Sequence, residues 1–158
     1  MTATIRTAAL PDIPDLVGLM DDFYAEAHVP LDRSIAEGTF AALLQQPSLG
    51  VVWLMLHEGL PAGYVVLTTR FSMEYGGIDG FIDDLFVRPA FRRRGLAASA
   101  LAHLLSEAHR RRLIALHVEV GTDNQPAQAL YRSLGMAPHT DGRQVLSVAL
   151  PSLSPRAT

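Results

Sequence analysis

The sequence contains no cysteine, which excludes disulfide bonds, thiolate metal sites and a cysteine nucleophile. It also contains no lysine, so every basic side chain is an arginine. No apolar run approaches the roughly 20 residues of a membrane-spanning helix. Residues 1–7 lack the charged-then-apolar pattern of a signal peptide. We therefore expect a cytoplasmic protein that does not contact a membrane.

Positive charge is also in short supply, since the net charge is −3 despite two arginine triplets. This balance argues against a nucleic-acid partner. The six histidines show no metal-ligand spacing, and His103 and His109 are not separated by the four residues that would bring two ligands together on a helix. We therefore expect no bound metal.

The length of 158 residues is enough for one domain with a full core, and 49% of the residues are apolar. No linker, repeat or low-complexity segment divides the chain. We predict a single domain over residues 1–150 and a loose tail over residues 151–158.

The periodicity of apolar residues predicts alternating strands and helices. Because strand-helix-strand-helix segments lie between hairpins, the chain is expected to form a mixed α/β sheet. The predicted strands are residues 5–9, 50–57, 62–69, 81–87, 113–120 and 145–150; the predicted helices lie at about residues 13–28, 32–47, 96–108 and 126–135, and residues 70–77 are predicted to be a loop.

The most informative stretch is residues 81–97, FIDDLFVRPAFRRRGLA. Asp83 and Asp84 lie inside an apolar strand, where carboxylates are rare without a partner or a function. Pro89 ends the strand, and three arginines and Gly95 precede a helix. A helix N-terminus presents unpaired N–H groups and a positive dipole end, so this turn is suited to phosphate.

Two motifs in this sequence resemble those of the GNAT family of N-acetyltransferases. Arg92-x-x-Gly95-x-Ala97 is similar to the pyrophosphate loop of that family, and residues 124–136, NQPAQALYRSLGM, resemble its later motif. The resemblance covers residues 50–150 well and the N-terminal helices loosely. It implies a mixed central sheet with splayed central strands, helices on both faces, and acetyl-CoA between the splayed strands.

The resemblance also assigns the expected cofactor contacts. The backbone of residues 85–87 would pair with the pantetheine arm, the amides of residues 93–97 would hold the phosphates, Asn124 would contact the cofactor, and Tyr131 would protonate the departing thiolate. The full expected set is Leu85, Phe86, Val87, Arg92, Arg93, Arg94, Gly95, Leu96, Ala97, Asn124, Ala127 and Tyr131.

Several acidic residues are candidates for the base that removes a proton from the amine. Strict strand alternation places Asp83 on the face of Leu85 and Val87 and Asp84 on the opposite face. Asp83-Asp84-Leu85-Phe86-Val87 is closest to the diamine and polyamine acetyltransferases, which carry Glu at the first position; the shorter Asp83 favours proton transfer through water. Glu119, near the end of the neighbouring strand, is the competing candidate, and a surface salt bridge is an equal alternative for it.

The leading hypothesis is an enzyme that transfers an acetyl group directly from acetyl-CoA to a primary amine of a small molecule. Tyr131 and either Asp83 or Glu119 would be catalytic. The alternatives are a protein N-terminus or lysine as acceptor, and a non-catalytic acyl-CoA sensor. Because dimers are common in the family, a homodimer is also possible.

Overall fold

The computed structural model of the protein describes residues 2–138 and 142–150. These residues form two compact units, one ending at Glu119 and the other beginning at Val120. The single domain over residues 1–150 stays a prediction. The predicted tail, residues 151–158, lies outside the described residues.

Among the described residues, the first unit contains five strands and three α-helices, and the second contains one α-helix. In chain order they are β1 (Ala3–Thr7), α1 (Ile13–Glu26), α2 (Arg33–Gln45), β2 (Gly50–His57), β3 (Leu60–Ser72), β4 (Gly77–Val87), α3 (Leu96–Arg110), β5 (Leu116–Val118) and α4 (Gln125–Ser133). The elements confirm the mixed α/β class.

The five strands form one sheet in the order β1-β2-β3-β4-β5. The first four are antiparallel neighbours, joined after β2 by the turn at Glu58 and Gly59 and after β3 by the turn at residues 73–76. After β4, α3 returns the chain to the end of the sheet at which β4 begins, and β5 therefore pairs in parallel with β4.

Helix starts follow their local signals. Pro14 occupies the first turn of α1, where the missing N–H costs nothing. Asp32 caps α2, since its Oδ1 accepts from the N–H groups of Ser34 and Ile35 at 3.0 and 3.2 Å.

The core lies on both faces of the sheet. One face packs against α1 and α2, and its buried cluster is Leu16, Val17, Leu19, Ala36, Phe40, Val52, Leu54, Tyr64, Val66 and Phe86. Since side chains alternate along a strand, Trp53, Met55, Val65 and Leu67 face the other way. α3 packs against β1 to β4 through its own buried face, so helices cover both sides.

Some predicted boundaries were wrong. β1 begins two residues earlier than predicted, and half of the predicted loop at residues 70–77 is strand, because Phe71 pairs with Ile78 across the hairpin. β5 is limited to three residues. Residues 145–150 form no strand in the described structure, although a strand was predicted there. Val145 and Leu146 are exposed and do not pack against a sheet.

Within the described residues, no helix combines the length and the apolar character required to cross a membrane.

Candidate active site

The turn between β4 and α3 is shaped for close approach to backbone amides. Gly95 immediately precedes α3 with φ of 78°, a left-handed conformation that favours glycine, and Arg93 adopts φ of 61°. The first helical bond runs from the Ser99 N–H to the Gly95 carbonyl at 2.9 Å. The earlier N–H groups of α3 therefore have no helical acceptor, and the end of the helix can bind an anion.

The arginines of this turn have different surroundings. Arg92 Nε donates to the Val87 carbonyl at 2.8 Å, and its two terminal nitrogens donate to Glu26 at 2.9 and 2.6 Å. This guanidinium fastens the turn to α1. Arg94 donates to the Ala90 carbonyl at 3.4 Å and approaches His57, while Arg93 is exposed.

β4 and β5 separate beside this turn. They pair only where Gly80, Phe81 and Ile82 meet Leu116, His117 and Val118. From residue 84 to 87, β4 remains paired with β3 but no longer with β5. This edge of β4 is open toward an extended ligand, although Arg92 already occupies the Val87 carbonyl.

A β-bulge interrupts β4 at the two acids. Val66 lies opposite Asp84 and Leu67 opposite Ile82, so Asp83 is the extra residue. Strict alternation does not pass through Asp83, and its predicted face is therefore not supported. Asp84 keeps its expected orientation, since it is on the α1 and α2 side of the sheet, away from Leu85.

The bulge gives the two carboxylates different environments. Asp84 is half-buried and its Oδ2 accepts a hydrogen bond of 2.8 Å from the Tyr64 hydroxyl, whereas Asp83 is exposed. Burial and, to a lesser extent, the charge of Asp83 raise the pKa of Asp84, although the Tyr64 hydrogen bond opposes the shift. Asp84 is thus the acid whose proton affinity is raised toward that of a general base.

Tyr24 on α1 belongs to the same electrostatic cluster. Its pKa is raised by burial and then by the charges of Asp84 and Asp83. The pKa of Tyr64 is raised by burial and by Asp84. Both phenols stay protonated at neutral pH and can donate to a carboxylate or a substrate. Sequence reasoning missed both; the one available signal was that a buried tyrosine hydroxyl needs an acceptor.

Glu119 follows β5 directly and is exposed. The last parallel pair is Ile82 with Val118, so Asp83 and Glu119 are the first residues on either side of the opening. The structure therefore brings these two predicted acids to the start of the splay, while Asp84 is the more enclosed acid.

In the second unit, α4 presents the later motif. The Asn124 Oδ1 accepts from the Ala127 N–H at 3.2 Å, so Asn124 caps the helix, and Pro126 lies in the first turn. Tyr131 is buried, and burial raises its pKa to about 12. Its phenol is therefore protonated at neutral pH and available as a proton donor.

No group of three or more His, Asp or Glu side chains is arranged for a metal ion in the part of the chain that the structure describes. Asp79, which is fully buried, instead joins Arg70 and His117 at 2.9 Å each. This cluster ties β3, β4 and β5 together before the two parallel strands separate.

The sequence model of the acetyltransferase (GNAT) family matches residues 16–136 of this chain. The alanine N-acetyltransferase of ribosomal protein bS18 from Escherichia coli (strain K12) is 37% identical over 78 residues, which are 43% of this chain and 53% of that protein. The chain thus spans about half the length of the curated relatives that it matches.

Two solved structures show the same fold. An integron cassette protein from the mobile metagenome of Cole Harbour Salt Marsh is 41% identical, with a TM-score of 0.83 over 94% of this chain and 91% of that one. A predicted acetyltransferase with acetyl-CoA from Clostridium acetobutylicum is 17% identical, with a TM-score of 0.76 over 92% and 96% of the two chains. The second likeness concerns the fold alone.

Proposed function

This chain belongs to the acetyltransferase (GNAT) family, and on that premise we propose that it transfers the acetyl group of acetyl-CoA directly to a primary amine of a small molecule. The observation that carries the proposal is the open edge of β4 leading to the left-handed Gly95 and the start of α3. An extended thioester arm and a pyrophosphate require these two features side by side.

The cofactor would bind along the first unit. Backbone groups of Leu85 and Phe86 would pair with the pantetheine arm, and the amides of residues 93–97 would receive the pyrophosphate. Arg92 would contribute indirectly, because its guanidinium is already bonded to Glu26 and the Val87 carbonyl. Arg93 and Arg94 would add positive charge at the phosphates.

Asp84 is the proposed base. An amine arrives as an ammonium and must lose a proton before its nitrogen can attack the thioester carbon. The raised pKa of Asp84, together with its neighbours Tyr24 and Tyr64, suits a carboxylate that attracts the cation and accepts that proton, directly or through water. Exposed Asp83 and Glu119 would supply further negative charge at the opening.

In the transfer step, a C–N bond forms and the C–S bond breaks. Backbone amides of β4 would stabilise the oxyanion. Tyr131 would donate its proton to the departing thiolate, and Asn124 would combine helix capping with cofactor contact. The products are the N-acetylated amine and CoA as free thiol. Of the two protons that the ammonium nitrogen loses, one would be left on the base and the other would restore the Tyr131 phenol.

The acceptor class has two candidates. The similarity of residues 83–87 to the diamine and polyamine acetyltransferases, with the acidic cluster, supports a cationic small amine. The bS18 alanine N-acetyltransferase supports a protein N-terminus instead, since that relative is named for such an acceptor. We favour the small amine because two adjacent carboxylates provide more negative charge than is required to attract the single positive charge of an α-amino group.

Thiol release from acetyl-CoA, followed with a chromogenic disulfide reagent, compares the two directly. The chain has no cysteine, so the protein itself adds no signal. We expect release that depends on small polyamines, diamines or aminoglycosides. Release only with a peptide that begins with alanine would replace the small amine by a protein acceptor.

Replacing Tyr131 by Phe tests the chemical step. We expect turnover to fall by roughly 10²–10⁴-fold, the usual contribution of a general acid, while the Kd for acetyl-CoA stays the same. Tyr75→Phe, in the β3–β4 turn, is the matched control and should retain full turnover. An unchanged rate in Tyr131→Phe would remove Tyr131 from the mechanism.

A further inference from the structure

His57, at the end of β2, is almost completely buried, with 7% of its surface exposed. We propose that His57 is a positioning residue that fixes the guanidinium of Arg94 in the turn before α3, and thereby prepares that turn for the cofactor pyrophosphate. The inference rests on the proposed function.

The hydrogen bond between the two side chains determines the state of the ring. His57 Nε2 lies 3.3 Å from Arg94 Nη1. A guanidinium can only donate, so Nε2 must be the acceptor and the ring proton must be on Nδ1. A ring with protons on both nitrogens would leave the guanidinium no acceptor at this contact.

The other ring nitrogen makes the burial unfavourable. His57 Nδ1 is buried and has no hydrogen-bond partner among the described residues. A buried N–H without an acceptor destabilises the folded protein, and an apolar side chain at this site would avoid that loss. Stability alone thus gives no reason for a histidine here, whereas holding Arg94 does.

The surroundings restrict both side chains. The Phe91 ring packs against the imidazole, with centroids 5.5 Å apart. Arg94 also donates to the Ala90 carbonyl at 3.4 Å, so its guanidinium is held from two sides. An arginine fixed in advance loses less conformational freedom when it contacts an anion, which increases affinity.

The test is a double-mutant cycle on acetyl-CoA binding, measured by calorimetry. His57→Leu removes the acceptor, and we expect the Kd to rise about two- to tenfold, the usual effect of leaving one long side chain to be immobilised on binding. His57→Gln keeps an acceptor at the place of Nε2 and should restore most of the affinity. In an Arg94→Ala background, His57→Leu should have no further effect.

Acetyl-pantetheine, which lacks the pyrophosphate, separates positioning from a general structural effect. We expect its kcat/KM to be the same in His57→Leu and in the unmodified protein, and the turnover at saturating acetyl-CoA to be the same as well. Loss with both thioesters, or additive effects of the two substitutions, would overturn the inference.

The two proposals fail differently. If the unmodified protein did not bind acetyl-CoA, the proposed function would fall and this inference with it. If acetyl-CoA bound normally and His57→Leu left the Kd unchanged, only the role of His57 would be refuted.

Discussion

Replacing Tyr64 by Phe removes one hydroxyl from the core and leaves the packing of the ring intact. That hydroxyl donates to Asp84 at 2.8 Å and stabilises the ionised carboxylate. A hydrogen bond to a charged group contributes about 1.5–3 kcal/mol, and one pKa unit corresponds to about 1.4 kcal/mol. The pKa of Asp84 should therefore rise by roughly 1–2 units in Tyr64→Phe.

The assay is the pH dependence of kcat/KM for thiol release. A general base must be ionised, so the rate falls as pH drops through its pKa in the free enzyme. Tyr64→Phe should move this acid limb to higher pH and leave the plateau nearly unchanged. Asp83→Asn is the matched control with the opposite sign, because the charge of Asp83 raises the pKa of Asp84. An unmoved limb, or shifts in the same direction, would refute Asp84 as the base.

Two further predictions concern the turn and the strand junction. Gly95→Ala and Gly76→Ala each place a side chain at a left-handed position with open space around it. Each substitution should therefore lower the free energy of unfolding by about 1–2 kcal/mol. Only Gly95→Ala should weaken acetyl-CoA binding. Equal binding by both would separate Gly95 from the cofactor. Asp79→Asn should lower the free energy of unfolding by about 1–3 kcal/mol in chemical denaturation at neutral pH, since it removes the charge of a buried carboxylate that the exposed Arg70 and the partly buried His117 stabilise. Burial raises the pKa of Asp79, but Arg70 and His117 outweigh burial and lower the pKa overall. The stability that the Asp79 carboxylate contributes is therefore present above its pKa in the unfolded chain and is lost as pH falls through its pKa in the folded protein. If Asp79→Asn remained less stable than the unmodified protein in acid, the ionic origin would be contradicted.

Sequence reasoning worked where local signals and packing agree. The turn at Gly95 was predictable because a strand, a proline, basic residues and a glycine leave little choice of structure. The cap at Asn124 and the position of Pro126 in the first turn of α4 follow local rules in the same way. These features depend on neighbours in the chain, which the sequence displays.

The acids were harder because their environment is set by a distant strand. The bulge at Asp83 arises from the pairing of Val66 and Leu67 with β4, and no alternation pattern within residues 81–87 announces it. Tyr64 lies in an apolar strand and resembles an ordinary core residue in the sequence, yet its hydroxyl donates a hydrogen bond to Asp84 on the neighbouring strand. Register therefore decided which carboxylate is enclosed.

The extents of the strands were a second difficulty. The hairpin of β3 and β4 extends through residues with loop-like composition, since pairing of Phe71 with Ile78 outweighs weak local preference. Residues 145–150 show the reverse, because strand-like composition gave no strand in the described structure.

The central claim is that an acetyl group passes from acetyl-CoA to an amine nitrogen. The most direct measurement uses acetyl-CoA labelled in the acetyl group and a cationic small amine, and determines by mass spectrometry the labelled amide and the free CoA formed. We predict equal amounts of both, and formation of neither when the amine is omitted. Free CoA without labelled amide, or acetyl-CoA that stays intact with every amine and with a peptide that begins with alanine, would contradict the account.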